Sequence, residues 1–552
     1  VTGSEEWPVL IVGAGPVGLA TAYVLGRHGV RSVICEQYGG VNPHPRAHVV
    51  NTRSMELLRA WGIADAVTAD AVDPRWMLNI VWKQTLAGED LGRINLADGP
   101  EERILGRINA SPVMITSCAQ DRVQQRLLDA VRAQGMCTVR YDTKVVNMDD
   151  TGDRVDVVAE SRGEAETLRA RYVVAADGAA GSIRDALGIE MEGLPDLGHQ
   201  LNIYFHADLS RWTDDDPALL IWAINTESPG VFIGMDGVRR WTFNRAFDPV
   251  AESVADYTPR RCAELVRKAV GADDLEVDIR SVGTWTMAAR TAETYRRGRV
   301  FLAGDAAHQF PPTGGLGMNT GLADADNLAW KLAAVIDGWA PDALLDSYES
   351  ERRPVAVDNA RHSVTNAIKM VEAGVGPKTV EVAARLESSN PVVATAERAR
   401  LAASIPEQRP HFDDLDQEIG YAYGCPDQTP TTARSTAAVR GARMPHAWVE
   451  LDGDTVSTLD LTMPGLTLIV GRAGTAWADA FTDAAAGLPR RILIVGRDVE
   501  TGDGDPFRIG DAGAVLVRPD GHIAWRTDAA SPTPHSDLAA ALDSVLCAVP
   551  AS

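Results

Sequence analysis

The sequence predicts an α/β protein in three parts: an α/β domain, an antiparallel sheet inserted into it, and a smaller α/β unit towards the C-terminal end. Three observations carry that prediction. A strand, a glycine-rich turn, a helix and a second strand succeed one another in PVLIVGAGPVGLATAYVLGRHGVRSVICEQ, residues 8–37. Strand-type segments follow closely on one another between residues 200 and 246. Beyond residue 437, apolar strand-like runs resume around the helix-like TAWADAFTDAAAG.

The 552 residues suit three or four domain-sized units. Apolar residues at 45% and charged residues at 23% give the balance of a soluble globular protein. A formal net charge of −23 argues against nucleic acid and anionic membranes as partners, because both are repelled. The six cysteines are scattered without a C-x-x-C pair, which reads as a reducing compartment rather than a disulfide framework. No apolar stretch approaches the roughly 18 residues of a membrane span. The first residues, VTGSEEW, are acidic rather than a basic signal sequence. The expected location is the cytoplasm; whether the chain forms a homo-oligomer is left open.

In the first element, the apolar strand Val9–Val12 runs into Gly13, Gly15 and Gly18 at G-x-G-x-x-G spacing, with Pro16 and Val17 between them. The first glycine permits the tight turn, the second admits a pyrophosphate to the backbone, and the third lets helix pack on strand. The helix N-terminus offers free N–H groups to phosphate. The second strand ends in Glu36 and Gln37, with Glu36 18 residues after Gly18 and placed to accept bonds from ribose hydroxyls. The alternative, a glycine turn used only for packing, leaves that terminal acid unexplained.

A second carboxylate arrives about 270 residues later, in FLAGDAAHQFPPTGGLGMNTGLADADNLAWKL, residues 301–332. The apolar run Val300–Ala303 stops at Gly304-Asp305, and a loop with Pro312 and Gly315 leads into what reads as a clean amphipathic helix. A lone acid at a strand end, with bare backbone ahead of a helix, suits a ligand both hydroxylated and anionic. NAD has no hydroxylated chain in its middle; FAD has ribitol.

Together with YVVAADGAAGSIRDALGI (172–189), DADNLAWKL (324–332) and SYESERRP (347–354), these motifs resemble the class A flavin-dependent aromatic hydroxylases, the phenol and p-hydroxybenzoate hydroxylase family. PHPRAHVVNTRSMELLRAWGI (43–63) and GAVLVRPDGHIAWR (513–526) look nearest to its phenol hydroxylase branch, including 2,4-dichlorophenol 6-monooxygenase-like enzymes. The resemblance implies a p-hydroxybenzoate hydroxylase-like FAD-binding domain over 1–80, 113–190 and 283–422, helical from 355 onward. It implies a substrate-binding sheet domain over 81–112 and 191–282, then a linker, 423–436, and a thioredoxin-like domain without C-x-x-C, 437–552. Glu36 would hold the adenosine ribose, Arg46 and Gln120 the ribityl–pyrophosphate region, and Asp305 the ribitol. Gly317, Met318 and Asn319 would line the isoalloxazine edge that becomes anionic on reduction. Asp177, otherwise a turn residue after strand 172–176, would serve FAD and NADPH function.

Residues 114–135 read as a helix, 138–176 as alternating strands, and 200–246 as a largely antiparallel sheet. On that sheet Tyr204, Trp222, Phe232, Trp241 and Asn244 are pocket candidates, with core packing as the ordinary alternative for each aromatic. The implied chemistry is ring hydroxylation of a phenol or hydroxyheteroaromatic. NADPH or NADH would be a transient reductant and O2 the oxidant, through a flavin C4a-hydroperoxide shielded from water. His48 stands where phenol hydroxylases carry an acid near the substrate hydroxyl, and is the candidate base; packing beside the flavin is its alternative role. His44 and His48 are separated by Pro45 and lack a third ligand, so no metal is expected. Baeyer–Villiger or epoxidising chemistry, and a non-catalytic flavin-bearing sensor or assembly protein, are the competing functions.

Overall fold

A computed structural model describes residues 6–424, 438–502 and 504–547. The expected linker 423–436 therefore lies outside the described residues apart from Tyr423 and Gly424. The first sheet runs in the order Arg296–Arg297, Val300–Leu302, Glu164–Ala175, Glu6–Val12, Ser32–Cys35, Cys137–Arg140, and an antiparallel pair, Thr143–Asp150 and Val155–Ser161, joins Glu164–Ala175. Four inner pairings are parallel. Val9, Leu10, Ile11, Val33 and Ile34 are wholly buried, as continuous apolar runs must be when helices cover both faces of a parallel sheet. Helix Pro16–Arg27 packs against helix Leu316–Ile336 beside this sheet.

Helix Leu316–Ile336 departs from the amphipathic expectation, since 19 of its 21 residues are buried. Its charges face protein rather than water: Asp324 pairs with Arg352 and His308 and Lys331 with Glu351, while Asp326 accepts from Trp61 Nε1 at 3.3 Å. The expected helix 114–135 is shorter, Gln120–Gln134. Thr116–Ser117 instead forms a short antiparallel pair with Val49–Val50, tertiary pairing that local helical spacing cannot register.

The inserted sheet has seven strands in the order Asp278–Thr286, His199–His206, Arg240–Phe247, Gly230–Gly234, Leu220–Ala223, Asn79–Lys83, Asp90–Asn95. Neighbours are antiparallel except Leu220–Ala223 against Asn79–Lys83. Strand pairing thus starts before residue 81 and ends after 282; the outer strand Asp278–Thr286, with Gly283 in its middle, carries a weak strand signal. One face buries Ile203, Phe205, Phe232, Trp241 and Phe243 against helix Pro259–Val270. At the far end Ile80 and Trp82 pack under helices Thr379–Leu386 and Pro391–Ser404. Those helices therefore belong with the sheet, whereas the sequence division placed them in the nucleotide domain.

The C-terminal unit has a four-stranded sheet, Arg490–Ile494, Leu466–Val470, Ala514–Val517, Ile523–Thr527, whose first pair is parallel and the rest antiparallel. Helices Thr475–Ala484 and Pro534–Val545 share a core with it. Buried charge joins this unit to the first domain. Arg443 donates to Glu56 at 2.8 Å, Arg518 to Glu351 at 2.5 Å, and Trp330 Nε1 to Asp520 at 3.2 Å. His522 stacks on Tyr423 with ring centroids 4.2 Å apart. Among the described residues no helix is long and apolar enough to cross a membrane.

Candidate active site

A cavity of about 2160 Å³ runs from the first glycine turn, past Asp177 and Asp305, to the inner face of the seven-stranded sheet. At its nucleotide end Gly13 has φ +100°, and a Cβ there would stand 2.4 Å from the carbonyl oxygen of Ala176. A Cβ on Gly18 would stand 2.0 Å from Gly13 O, so neither position tolerates a side chain. Gly15 differs: nothing lies within 4 Å of the place its Cβ would take. It caps helix Pro16–Arg27 without any side-chain partner, leaving first-turn N–H groups for an anion. Pro16 and Val17 line the cavity here, and Glu36 and Gln37 lie across from them.

Glu36 is held in place by two backbone donors, Ala14 N–H at 2.7 Å and Tyr38 N–H at 2.9 Å. Gln120 exchanges two bonds with Ala47, its Oε1 accepting at 3.1 Å and its N–H donating at 2.8 Å. It thereby fixes the loop that presents the exposed Arg46 to the cavity. Sequence reasoning missed Gln124, a buried amide whose Nε2 donates to Ala14 O at 2.7 Å. A polar residue on the apolar stripe Val123, Leu127, Leu128, Val131 was the available signal.

Asp305 follows strand Val300–Leu302, on the turn Gly304–Ala306. Its side chain is exposed, but only into the cavity; the enclosing protein raises its carboxyl above the ordinary range, partly offset by His308 and Arg46. Asp177 accepts from Ile183 N–H at 3.3 Å through Oδ2, while its buried Oδ1 has no partner among the described residues. Beneath Asp305 lies a second missed group. Asp324, wholly buried, accepts from Gly304 N–H at 3.2 Å, His308 Nε2 at 2.7 Å and Arg352 Nε at 2.7 Å. Arg352 also donates to Thr320 O at 3.1 Å. One carboxylate thus ties the Asp305 turn to the first turns of helix Leu316–Ile336.

That helix starts at Gly315, φ +64°, with no side-chain cap. The space beside Gly317 is open, the nearest atom to a Cβ being Asp305 Oδ1 at 3.9 Å. Pro312 and Met318 also border the cavity. Asn319 is committed elsewhere. Its Oδ1 accepts from Asn51 N–H at 3.0 Å, and its Nδ2 donates to Val49 O at 3.0 Å and Gly315 O at 2.6 Å. Its side chain therefore anchors segment 49–51 instead of facing a ligand.

Segment 49–51 continues from His48, a buried residue on the cavity wall whose Nδ1 pairs with Ser117 Oγ at 3.0 Å. Burial lowers its pKa to about 4, so near neutral pH the ring is uncharged. His44 turns to a different partner, Ser281 Oγ at 2.6 Å. Of the five sheet candidates, Trp222 and Asn244 border the cavity. Phe232 and Trp241 do not: alternation turns them to the opposite face, into the core with helix Pro259–Val270. Tyr204 lies beyond the cavity wall, where Arg240 Nε donates to its hydroxyl at 2.8 Å and the His206 ring sits 3.1 Å from it. The chamber wall instead includes Leu220, Val231, Ile233, Met370 and Phe412.

These residues fit FAD: open space beside Gly15 and Gly317, a free acceptor on Asp177 and a carboxylate open to the cavity at Asp305 are what a long hydroxylated dinucleotide would occupy. The comparisons with known proteins agree. Residues 6–363 match the FAD binding domain family, and residues 437–548 match the aromatic-ring hydroxylase C-terminal family. The chain is 35% identical to tetracenomycin B2 monooxygenase-dioxygenase of Streptomyces olivaceus, over 99% of this chain and 98% of that protein. It is 36% identical to 4-methyl-5-nitrocatechol 5-monooxygenase of Burkholderia sp, over 98% of each. The solved structure of the flavin-dependent monooxygenase PieE in complex with FAD and substrate superposes with a TM-score of 0.87 at 32% identity, covering 98% of this chain and 99% of that one. The chain belongs to the class A FAD-dependent aromatic hydroxylases and is a flavin-dependent aromatic monooxygenase.

Proposed function

We propose that the substrate is a phenol forming part of a larger, multi-ring molecule, hydroxylated with NAD(P)H and O2 as in natural-product tailoring. The observation that carries this reading is the course of the cavity. Its volume of about 2160 Å³ includes the space for FAD at the nucleotide end. Beyond Asp305 it continues into an apolar chamber bounded by the sheet, by helix Glu101–Asn109 and by residues 370–380. A tetracenomycin monooxygenase among the relatives supports the same class, while the nitrocatechol monooxygenase marks the single-ring alternative.

FAD, when bound, supplies the redox chemistry, accepting reducing equivalents from NAD(P)H and activating O2. The chain's own residues do the rest. Glu36, the N-terminus of helix Pro16–Arg27 and Arg46 would hold the adenosine and pyrophosphate, and Asp305 the ribityl hydroxyls. First-turn N–H groups around Gly317 and Met318 lie where negative charge on the isoalloxazine would be stabilised. Trp222, Val231 and Ile233 exclude water from the chamber. His48, uncharged and held by Ser117, accepts a hydrogen bond from the substrate hydroxyl, which polarises the O–H bond and raises the electron density of the ring. The C-terminal unit, whose strand order is compatible with the thioredoxin-like reading, lacks C-x-x-C and serves assembly of the fold rather than thiol chemistry.

The test is NAD(P)H oxidation by FAD-loaded protein with single-ring phenols and with hydroxylated anthraquinones and tetracyclic phenols. Stimulation by the multi-ring set at micromolar concentration is expected. Equal or stronger stimulation by simple phenols would overturn the substrate class while leaving the flavin site intact.

A further inference from the structure

The chamber has a polar corner that the chemistry above leaves unused. His362, His411, Asp414 and Gln417 all border it. His411 ends the turn Pro406–His411, is only 6% exposed, and neither of its ring nitrogens has a hydrogen-bond partner among the described residues. A neutral imidazole carries one donor and one acceptor, and buried groups of this kind are ordinarily paired. The neighbouring Phe412 ring, 5.9 Å away between centroids, offers no partner for either nitrogen.

His362, on helix Asp346–Met370, stands 3.9 Å from Asp414 through its Nδ1, beyond direct hydrogen-bond range. Asp414 Oδ1 accepts from Gln417 N–H at 3.1 Å. The same helix contacts the flavin-side loop, Thr313 Oγ1 donating to Ser363 O at 2.6 Å, so the corner is continuous with the site.

We propose that His411, together with His362 and Asp414, is the subsite that takes an uncharged hydroxyl group on the substrate's non-reacting rings. A hydroxyl is the matching group because it donates and accepts at once, satisfying an imidazole nitrogen and the Asp414 carboxylate together. A carboxylate is disfavoured: it cannot donate, and it would face Asp414. Burial, with Lys369 nearby, keeps His411 neutral, its pKa lowered to about 4, so the ring offers a carboxylate no full positive charge. Lys369 is the one cation that acts on both histidines, and it lowers the His362 pKa as well.

The inference rests on the multi-ring reading, and the experiment separates the two. Binding to FAD-loaded protein is followed by perturbation of the flavin absorbance. The probes are 1,8-dihydroxy-3-methylanthraquinone and its 3-hydroxymethyl and 3-carboxy analogues. The hydroxymethyl compound is expected to bind about tenfold more tightly than the methyl compound, the effect of one buried hydrogen bond, and more tightly than the carboxylate. In His411→Phe, which keeps an aromatic ring beside Phe412 but has no nitrogens, the preference should vanish while affinity for the methyl compound stays. His411→Gln, which retains a donor and an acceptor, should restore part of it. Should His411→Phe fail to load FAD, His362→Phe reads the same preference. A preference unchanged in the variants, or absent from the wild type, overturns the subsite but spares the multi-ring reading. No flavin perturbation by any of the three probes overturns both.

Discussion

At the residue scale, the decisive feature of the site is how its polar groups are held. Asp305 and Asp177 stood out because each ends a strand beside a glycine, and Glu36 because it ends the second strand 18 residues after Gly18; all three border the cavity. Asn319 was legible as important and misread in role, because its partners, Val49 and Asn51, are some 270 residues away in the chain. Phe232 and Trp241 were misplaced because alternation fixes two faces but not which one the cavity takes. His48 gives the sharpest prediction. With its pKa lowered to about 4 it carries no proton to give at neutral pH, and the role proposed for it is that of an acceptor for the phenol hydroxyl. His48→Ala should lower kcat/KM by about 10²-fold at pH 7. The deficit should shrink as pH approaches the phenol's own ionisation near about 10, because a preformed phenolate needs no acceptor. A pH-independent deficit would assign His48 to packing alone.

At the scale of elements, the turn carrying Asp305 and the helix beginning at Gly315 act as one piece, because Asp324 bonds to both through Gly304 and Arg352. Helical spacing announced the helix; it could not announce that the helix is buried on every side, since its charges look like solvent-facing residues until their partners are known. Asp324→Asn removes the charge at constant size and leaves Arg352 buried without its counter-ion, a loss of about 3–5 kcal/mol. The variant should also bind FAD at least tenfold more weakly. His308→Phe keeps the stacking on Phe310, whose ring lies 4.9 Å away, but loses the donor. It should weaken FAD in the same direction, and His308→Gln should recover part of the loss. Fluorescence of released FAD measures all three; unchanged affinity in Asp324→Asn would mean that the turn holds itself.

At the scale of the whole molecule, the strand-helix-strand opening, the inserted sheet and the C-terminal unit were each readable from period and turn chemistry. Their mutual docking was not, because it depends on buried ion pairs such as Arg443 with Glu56 and Arg518 with Glu351. Acid should expose that docking. The imidazoles of His48 and His522 are held at about 4 and about 3, below the ordinary 6.5, by burial first of all. The unfolded chain therefore takes up protons that the folded chain refuses as pH falls below 6.5, and stability drops in that direction. His48 alone accounts for about 3 kcal/mol between pH 6.5 and 4. Tm should fall steadily across this window; a flat profile would contradict the buried, neutral assignment.

The most direct test of the account is oxygen bookkeeping. FAD-loaded protein is supplied with NADPH, 18O2 and a multi-ring phenol that stimulates turnover, with products read by mass spectrometry and hydrogen peroxide measured alongside. The account predicts one labelled oxygen on the ring per NADPH consumed, with little peroxide. Rapid NADPH consumption that yields only peroxide, or label inserted between ring carbons as a lactone, would contradict it.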